Sequence, residues 1–382
     1  MIVAAVALLA SSAVQAAPLF RYVVTGVAST DLGTLGGNQS AAADINNAGT
    51  IVGWAEEASG VRRAFRYSGG AMSTLASSTL GTRPSEATGI NVHGRVAGTY
   101  IDGDDTHAFS WLAGSLITLV DLSPWGDPLK SSATAINDSG QIVGQRAFVD
   151  HDVATFWSSP GTFHALAGDI YPYSSFVRDV NNAGHVVGRE KNFDTTRVWR
   201  WSGTGISSVR VPVPASTATG SYPPNSNDAL GINNVGTVVG FATFRPTDGS
   251  ALAKHAMHWN GTNINSSDLG VLPSGVNSVA DDINNDDFVV GYADRLVTYF
   301  PPFTMNLDSG FLFHRDFGMY ALPRPAFAIW SGNCRAKALN ERNASNGVIQ
   351  VVGTCDTAYG TRAVRWDVTV ALRSTLPPGT GP

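Results

Sequence analysis

The sequence predicts an all-β fold: a seven-bladed β-propeller of four-stranded antiparallel blades, closed by N- and C-terminal strands that share one blade. Three observations predict it. One hairpin phrase recurs seven times along 382 residues. Each copy is followed by further short strand-like runs, and no amphipathic helical period interrupts the series.

The phrase is an apolar residue, Asn, a short polar turn with Gly, two or three β-formers and a closing Gly. Ile45-Asn46-Asn47-Ala48-Gly49-Thr50-Ile51-Val52-Gly53 is the first copy, and the others close at Gly98, Gly144, Gly188, Gly240, Gly291 and Gly353. Asn at the first turn position can bond the backbone two residues on, and Gly at the last can take positive φ. These are the marks of a two-strand turn. In the sixth copy Asp287 stands where the glycine should be, a residue that still tolerates the left-handed region. From Gly144 to Gly188 is 44 residues and from Gly291 to Gly353 is 62, so the later units carry insertions.

A third strand follows each hairpin and ends in an aromatic residue. Arg63-Ala64-Phe65-Arg66-Tyr67, His107-Ala108-Phe109-Ser110-Trp111 and Arg362-Ala363-Val364-Arg365-Trp366 are examples, with an alternation of period two. A fourth apolar run, such as Thr162-Phe163-His164-Ala165-Leu166, leads to the next unit. One such unit cannot cover both its apolar faces, so units must stack, and a closed ring leaves no uncapped end. Arg21 to Val27 is a strand without a hairpin partner, and Asp367 to Leu372 ends the last unit; the two are expected to pair. An eighth blade hidden after Gly291 and an open solenoid are the competing arrangements.

Composition narrows the function. With 25 Lys+Arg against 30 Asp+Glu the formal charge is −5, which gives a polyanion no strong counterion-release attraction, so nucleic acid is not expected as a partner. Residues 1–16 read as a signal peptide, with the apolar run Met1 to Ala10 and small residues before Ala17, although the first charge is Arg21. That run is too short to span a bilayer, and stable membrane insertion is not expected. The expected layout is a signal peptide at 1–16, one propeller domain at 17–376 and a disordered Pro/Gly-rich tail at 377–382. The mature protein is expected to be a secreted or periplasmic monomer. No cofactor fingerprint or metal-ligand spacing is present, and none is expected.

The stretch Asp31-Leu32-Gly33-Thr34-Leu35-Gly36-Gly37, leading to Ala43-Asp44-Ile45-Asn46-Asn47-Ala48-Gly49, and the triplet His107-Ala108-Phe109 resemble bacterial extracellular HAF-repeat proteins. The resemblance spans nearly all of residues 20–372. It implies an exported β-repeat protein, and it brings no catalytic residues with it.

Residues common to every unit are explained first by the fold. Asp44-Ile45-Asn46 and Asp179-Val180-Asn181 therefore read as turn chemistry rather than calcium ligands. The aromatics at 67, 111, 157, 201, 259 and 366 read as packing between blades rather than as a sugar platform. The Pro-rich connection Val211 to Asn227 reads as a passive loop. Function is sought where one unit departs from the rest, and the largest departure is 292–338. It supplies Tyr299, Phe300, Phe303, His314, Arg315, Asp316 and Trp330 as candidate ligand-binding residues. The expected function is a non-catalytic module that binds a carbohydrate or a cell-envelope protein there. A polysaccharide hydrolase or lyase is the alternative; it would need two or more of Asp102, Asp104, Asp282 and Asp316 to converge at the mouth of the ring. A purely structural surface protein is the third reading.

Cys334 and Cys355 flank the seventh hairpin, and in an oxidising compartment two such cysteines pair. Thiol titration of the denatured, unreduced protein is expected to detect no free sulfhydryl, and two would dismiss the bridge.

Overall fold

The computed structural model describes residues 19–75, 80–112, 118–121, 130–147, 151–159, 162–166, 174–191, 196–202, 208–210, 227–244, 252–260, 265–300 and 303–375. The expected signal peptide, most of the Val211 to Asn227 connection and the C-terminal tail lie outside them. Seven four-stranded antiparallel sheets form a seven-bladed propeller, without a helix among the described residues. The innermost strands are Gly36–Ile45, Ser85–Ile90, Ser131–Ile136, Ser174–Val180, Asp228–Ile232, Ser278–Ile283 and Cys334–Leu339, in blades 1 to 7, and each touches the next around the axis. Neither an eighth blade nor an open stack is formed. The stretch after Gly291 lengthens two existing strands of blade 6, Val289–Phe300 and Phe303–His314.

The ring closes through the N-terminal strand. Leu19–Asp31 pairs along its length with Gly360–Thr375 as the outermost strand of blade 7. Leu32 N to Ala363 O at 3.0 Å and Ala363 N to Ser40 Oγ at 3.0 Å then join blade 7 to blade 1.

The asparagine of each phrase holds the blades together. Asn46 Oδ1 accepts from Ala48 N at 3.1 Å and Thr50 N at 3.0 Å inside its own turn. Its Nδ2 donates across to Asn91 O of the next blade at 3.0 Å. The same crossing runs Asn91 to Asn137, Asn137 to Asn181, Asn181 to Asn233, Asn233 to Asn284 and Asn284 to Asn340, at 2.9–3.1 Å. At the last junction Asn340 Nδ2 turns to Gln350 Oε1 at 3.1 Å, and Glu341 N donates to Asn47 Oδ1 at 3.0 Å to reach blade 1. All seven asparagines are buried, where an unmade bond would cost the full desolvation of the group.

A second belt explains the His/Arg-Ala-Phe triplet. The alanine N–H donates to a serine Oγ at the start of the next inner strand: Ala64 to Ser85, Ala108 to Ser131, Ala154 to Ser175 and Ala256 to Ser278, at 2.8–3.1 Å. The aromatic side chains of this strand fill the space between blades. Phe65, Phe109, Phe156 and Phe311 are fully buried, each contributing roughly 1.5–3 kcal/mol of apolar burial. The strand-ending aromatics Tyr67, Trp111, Trp157, Trp201, Trp259 and Trp366 are buried as well, in agreement with a packing role.

The closing glycine answers a bulge. In every inner strand the pairing slips by one residue just before the phrase, as between Ala42 and Asp44 or Ala133 and Ala135. The bend drives a carbonyl toward the partner strand, so a Cβ on Gly144 would lie 1.9 Å from Ser132 O. Asp287, in place of the turn glycine, takes φ 68°, as the sequence requires. Cys334 and Cys355 face each other across the first two strands of blade 7 and are disulfide-bonded.

Asn181→Ala would leave Ala183 N, His185 N and Asn233 O without their partners. A loss of about 2–4 kcal/mol is expected, read as an earlier thermal unfolding transition by circular dichroism. An unchanged transition would show that the amide belt does not hold the ring.

Candidate functional site

The bulge has a second effect: it turns one residue of each inner strand toward the axis. The seven residues are Ala43, Thr88, Thr134, Arg178, Leu230, Asp281 and Lys337, and together they line an axial channel of about 200 Å³. They differ from blade to blade although their setting is the same. Four of them, Ala43, Thr88, Asp281 and Lys337, also line a wider cleft of about 640 Å³ at the mouth away from the asparagine turns. Channel and cleft are one concavity.

Blades 6, 7, 1 and 2 build the cleft. The short side chains of Ala41, Ala42 and Ala43 leave the room, and Trp54 and Tyr292 supply aromatic surface. Arg62 stacks on Trp54 with its guanidinium carbon 3.9 Å from the ring centroid, and Arg335 lies 4.6 Å over Tyr292. Burial and the nearby Asp281 charge push the Tyr292 hydroxyl above its ordinary range, so it stays a protonated donor. Thr88, Thr354, Thr361 and Asn333 add polar groups. Most charges are already engaged: Lys337 Nζ meets Asp281 Oδ1 at 2.8 Å, Arg335 Nε meets Asp308 Oδ2 at 2.7 Å, and Asn333 N donates to Asp356 Oδ2 at 2.8 Å. Glu86 is exposed in the cleft, and no hydrogen bond or ion pair engages it among the described residues.

Deeper in the channel, Asp44, Asp179 and Asp282 occupy equivalent positions next to the bulge in blades 1, 4 and 6. Each carboxylate bridges two blades. Asp44 accepts from Ile45 N at 2.7 Å and from Ile90 N at 2.8 Å, Asp179 from Val180 N and Ile232 N at 2.7 and 2.9 Å, and Asp282 from Ile283 N and Leu339 N at 2.7 and 3.1 Å. Enclosure by the ring outweighs these bonds. Burial pushes the Asp44 carboxyl up to about 7 and the Asp179 carboxyl up to about 6. Burial, then the Asp179 and Asp44 charges, lift Asp282 well above the carboxylate range. Lys337 opposes the rise at Asp44 and Asp179. Arg178, across the channel, is tied through Nε to the buried Asp228 at 3.0 Å.

The residues that sequence reasoning singled out fall elsewhere. Tyr299, Phe300 and Phe303 lie at the tip of the lengthened hairpin of blade 6, where Phe300 pairs with Phe303. His314, Arg315 and Asp316 sit at the other end of the strand Phe303–His314, roughly 35 Å away at the rise of an extended strand. His314 is buried against Phe288 and Tyr22, and burial holds its imidazole below its ordinary range. Asp316 Oδ2 accepts from Tyr22 N at 2.8 Å and so fastens the N-terminal strand, and Arg315 is exposed. Trp330 is exposed in the connection to blade 7. The insertion therefore forms no single patch. The carboxylates proposed for hydrolysis are dispersed too: Asp102 pairs with Arg83 at a strand turn of blade 2, Asp104 is exposed in that turn, and Asp316 is on blade 6, leaving Asp282 in the channel.

The axial residues were missed because the phrase was read as uniform. The signal that could have found them is in the sequence: the residue three before each asparagine changes in nearly every copy, while the residue before it is alanine in six of the seven. The recurrence of Asp at 44, 179 and 282 but not in the other four copies is a second such signal.

The belt predicts a pH dependence of stability. In the unfolded chain these carboxyls return to about 3.9, so the folded state binds the extra protons. The contribution is fully present below the unfolded value and is lost as pH rises through the folded values. Thermal unfolding is expected to move down by about a few degrees between pH 5 and pH 8. Asp179→Asn should flatten part of that slope, and equal slopes in the two proteins would overturn the assignment.

No family model matches the chain, and no curated protein matches it. Similar solved structures include the β-propeller domain of the Trilobed protease from Pyrococcus furiosus, at 8% identity over 90% of this chain and 97% of that one, with a TM-score of 0.49. The polysaccharide lyase Uly1 is 9% identical over 87% of this chain and 89% of its own, with a TM-score of 0.48. A streptogramin B lyase is 9% identical over 91% and 98%, with a TM-score of 0.47. Likeness at this level carries no argument about what the chain binds or transforms.

Proposed function

We propose that the chain is an exported propeller of the HAF-repeat kind that binds a carbohydrate in the axial cleft without chemically changing it. One observation carries this reading: a cleft of about 640 Å³ that presents two aromatic side chains among threonines, an asparagine and both signs of charge. Sugar rings offer apolar faces to aromatics and hydroxyls to such polar groups. The proposed site is the cleft, which takes Tyr292, Asn333, Arg335 and Lys337 from the two ends of 292–338 but none of the seven residues singled out there.

Binding is favoured over hydrolysis because Asp281 and Asp356 are committed to Lys337 and Asn333. A hydrolase needs one free acid and one free base at a set separation. The enzyme reading keeps one point in its favour, the convergence of Tyr292, Lys337 and Asp281 on one cleft. It predicts release of reducing ends from a bound polysaccharide, and the binding reading predicts none.

Trp54→Ala is expected to weaken binding of the glycan found by array screening about tenfold, or about 1.4 kcal/mol, with unfolding unchanged. Retained affinity would remove the cleft as the site.

A further inference from the structure

The cations around the axis are already spoken for. Lys337 is bonded to Asp281, Arg335 to Asp308 and Arg178 to Asp228. Lys337 and Arg335 each face a carboxylate, and Arg178 shares Asp228 with Arg189. On the acid side Glu86 is exposed and unengaged, and Asp44, Asp179 and Asp282 accept only backbone N–H groups while sharing the influence of Lys337. The cleft thus presents the Glu86 carboxylate at its mouth, beside low-dielectric walls that focus its field.

We propose, resting on the carbohydrate reading above, that the cleft selects a saccharide bearing free amino groups, with Glu86 as the partner of an ammonium at the mouth. Glu86 is the second residue of the inner strand of blade 2, and Trp54 belongs to the neighbouring blade 1, so one side of the cleft offers a carboxylate and an aromatic face together. That pairing suits an amine carried on a sugar ring: the ring packs on the aromatic face and the ammonium reaches the carboxylate. Thr354 and Thr361 remain for hydroxyls. A uronic-acid polymer would meet Glu86 at the mouth, where Lys337 and Arg335 are already paired with carboxylates. A basic peptide would use the charge and leave the threonines idle.

Titration calorimetry of the full chain at pH 6 with four probes tests this: a glucosamine tetramer, its N-acetylated form, a galacturonate tetramer and tetralysine. The free-amine tetramer is expected to bind at least tenfold more tightly than the other three. Glu86→Gln should bring it to the level of the N-acetylated form, and Glu86→Asp should keep part of the preference. Equal affinity for the amine and the N-acetyl forms, preference for galacturonate, or indifference to Glu86→Gln would overturn the charge assignment and leave the carbohydrate site standing. Tighter binding of tetralysine would overturn the saccharide as occupant. Binding of none of the four, when the array finds a neutral glycan, would end the amine proposal alone; an empty array would end the carbohydrate reading with it.

Discussion

The circle of buried asparagine side chains is the constraint on which the rest of the molecule depends. Each amide completes its own turn with its oxygen and reaches the neighbouring blade with its nitrogen, so local turn and ring assembly are one interaction. Aspartate could supply the oxygen but not the donor, and serine is too short for both tasks. The blades are brought close enough that a serine belt, a layer of phenylalanines and a layer of tryptophans follow at fixed radii. Only the junction between blades 7 and 1 departs, where Gln350 and Glu341 take over.

The inner-strand bulge converts this repetitive scaffold into an individual surface. It requires the glycine on the facing strand and releases one side chain per blade into the axial space. Nothing in the stacking of the blades dictates what that side chain is. The molecule can vary these seven positions, and Lys337, Asp281 and Arg178 are the charged outcomes.

Most of the scaffold was legible in the order of residues. Asn, turn Gly, closing Gly and the strand-ending aromatics announce themselves by recurrence, and the lone strand from Arg21 to Val27 has no place to go but the last blade. The site was not legible in the same way. Period-two reasoning assumes an unbroken alternation, and the bulge breaks it at the residues that face the axis. Aromatic and proline content drew attention to 292–338, yet those residues extend a hairpin of blade 6 and anchor the N-terminal strand. The His314 to Asp316 triplet looked like chemistry because its partners, Tyr22 and Phe288, are distant in the chain.

The three channel carboxylates have a further consequence for the history of the repeat. In the ring Asp44 is followed by Gly89, Asp179 by Gly231 and Asp282 by Ala338, and Ala135, Gly231 and Ala338 precede the acidic members. No two acids are neighbours. Units that otherwise look interchangeable are therefore not: a duplication or exchange that set two acidic units side by side would place like charges at adjoining positions in an enclosed space. The order of the units around this near-symmetric ring therefore matters to its electrostatics.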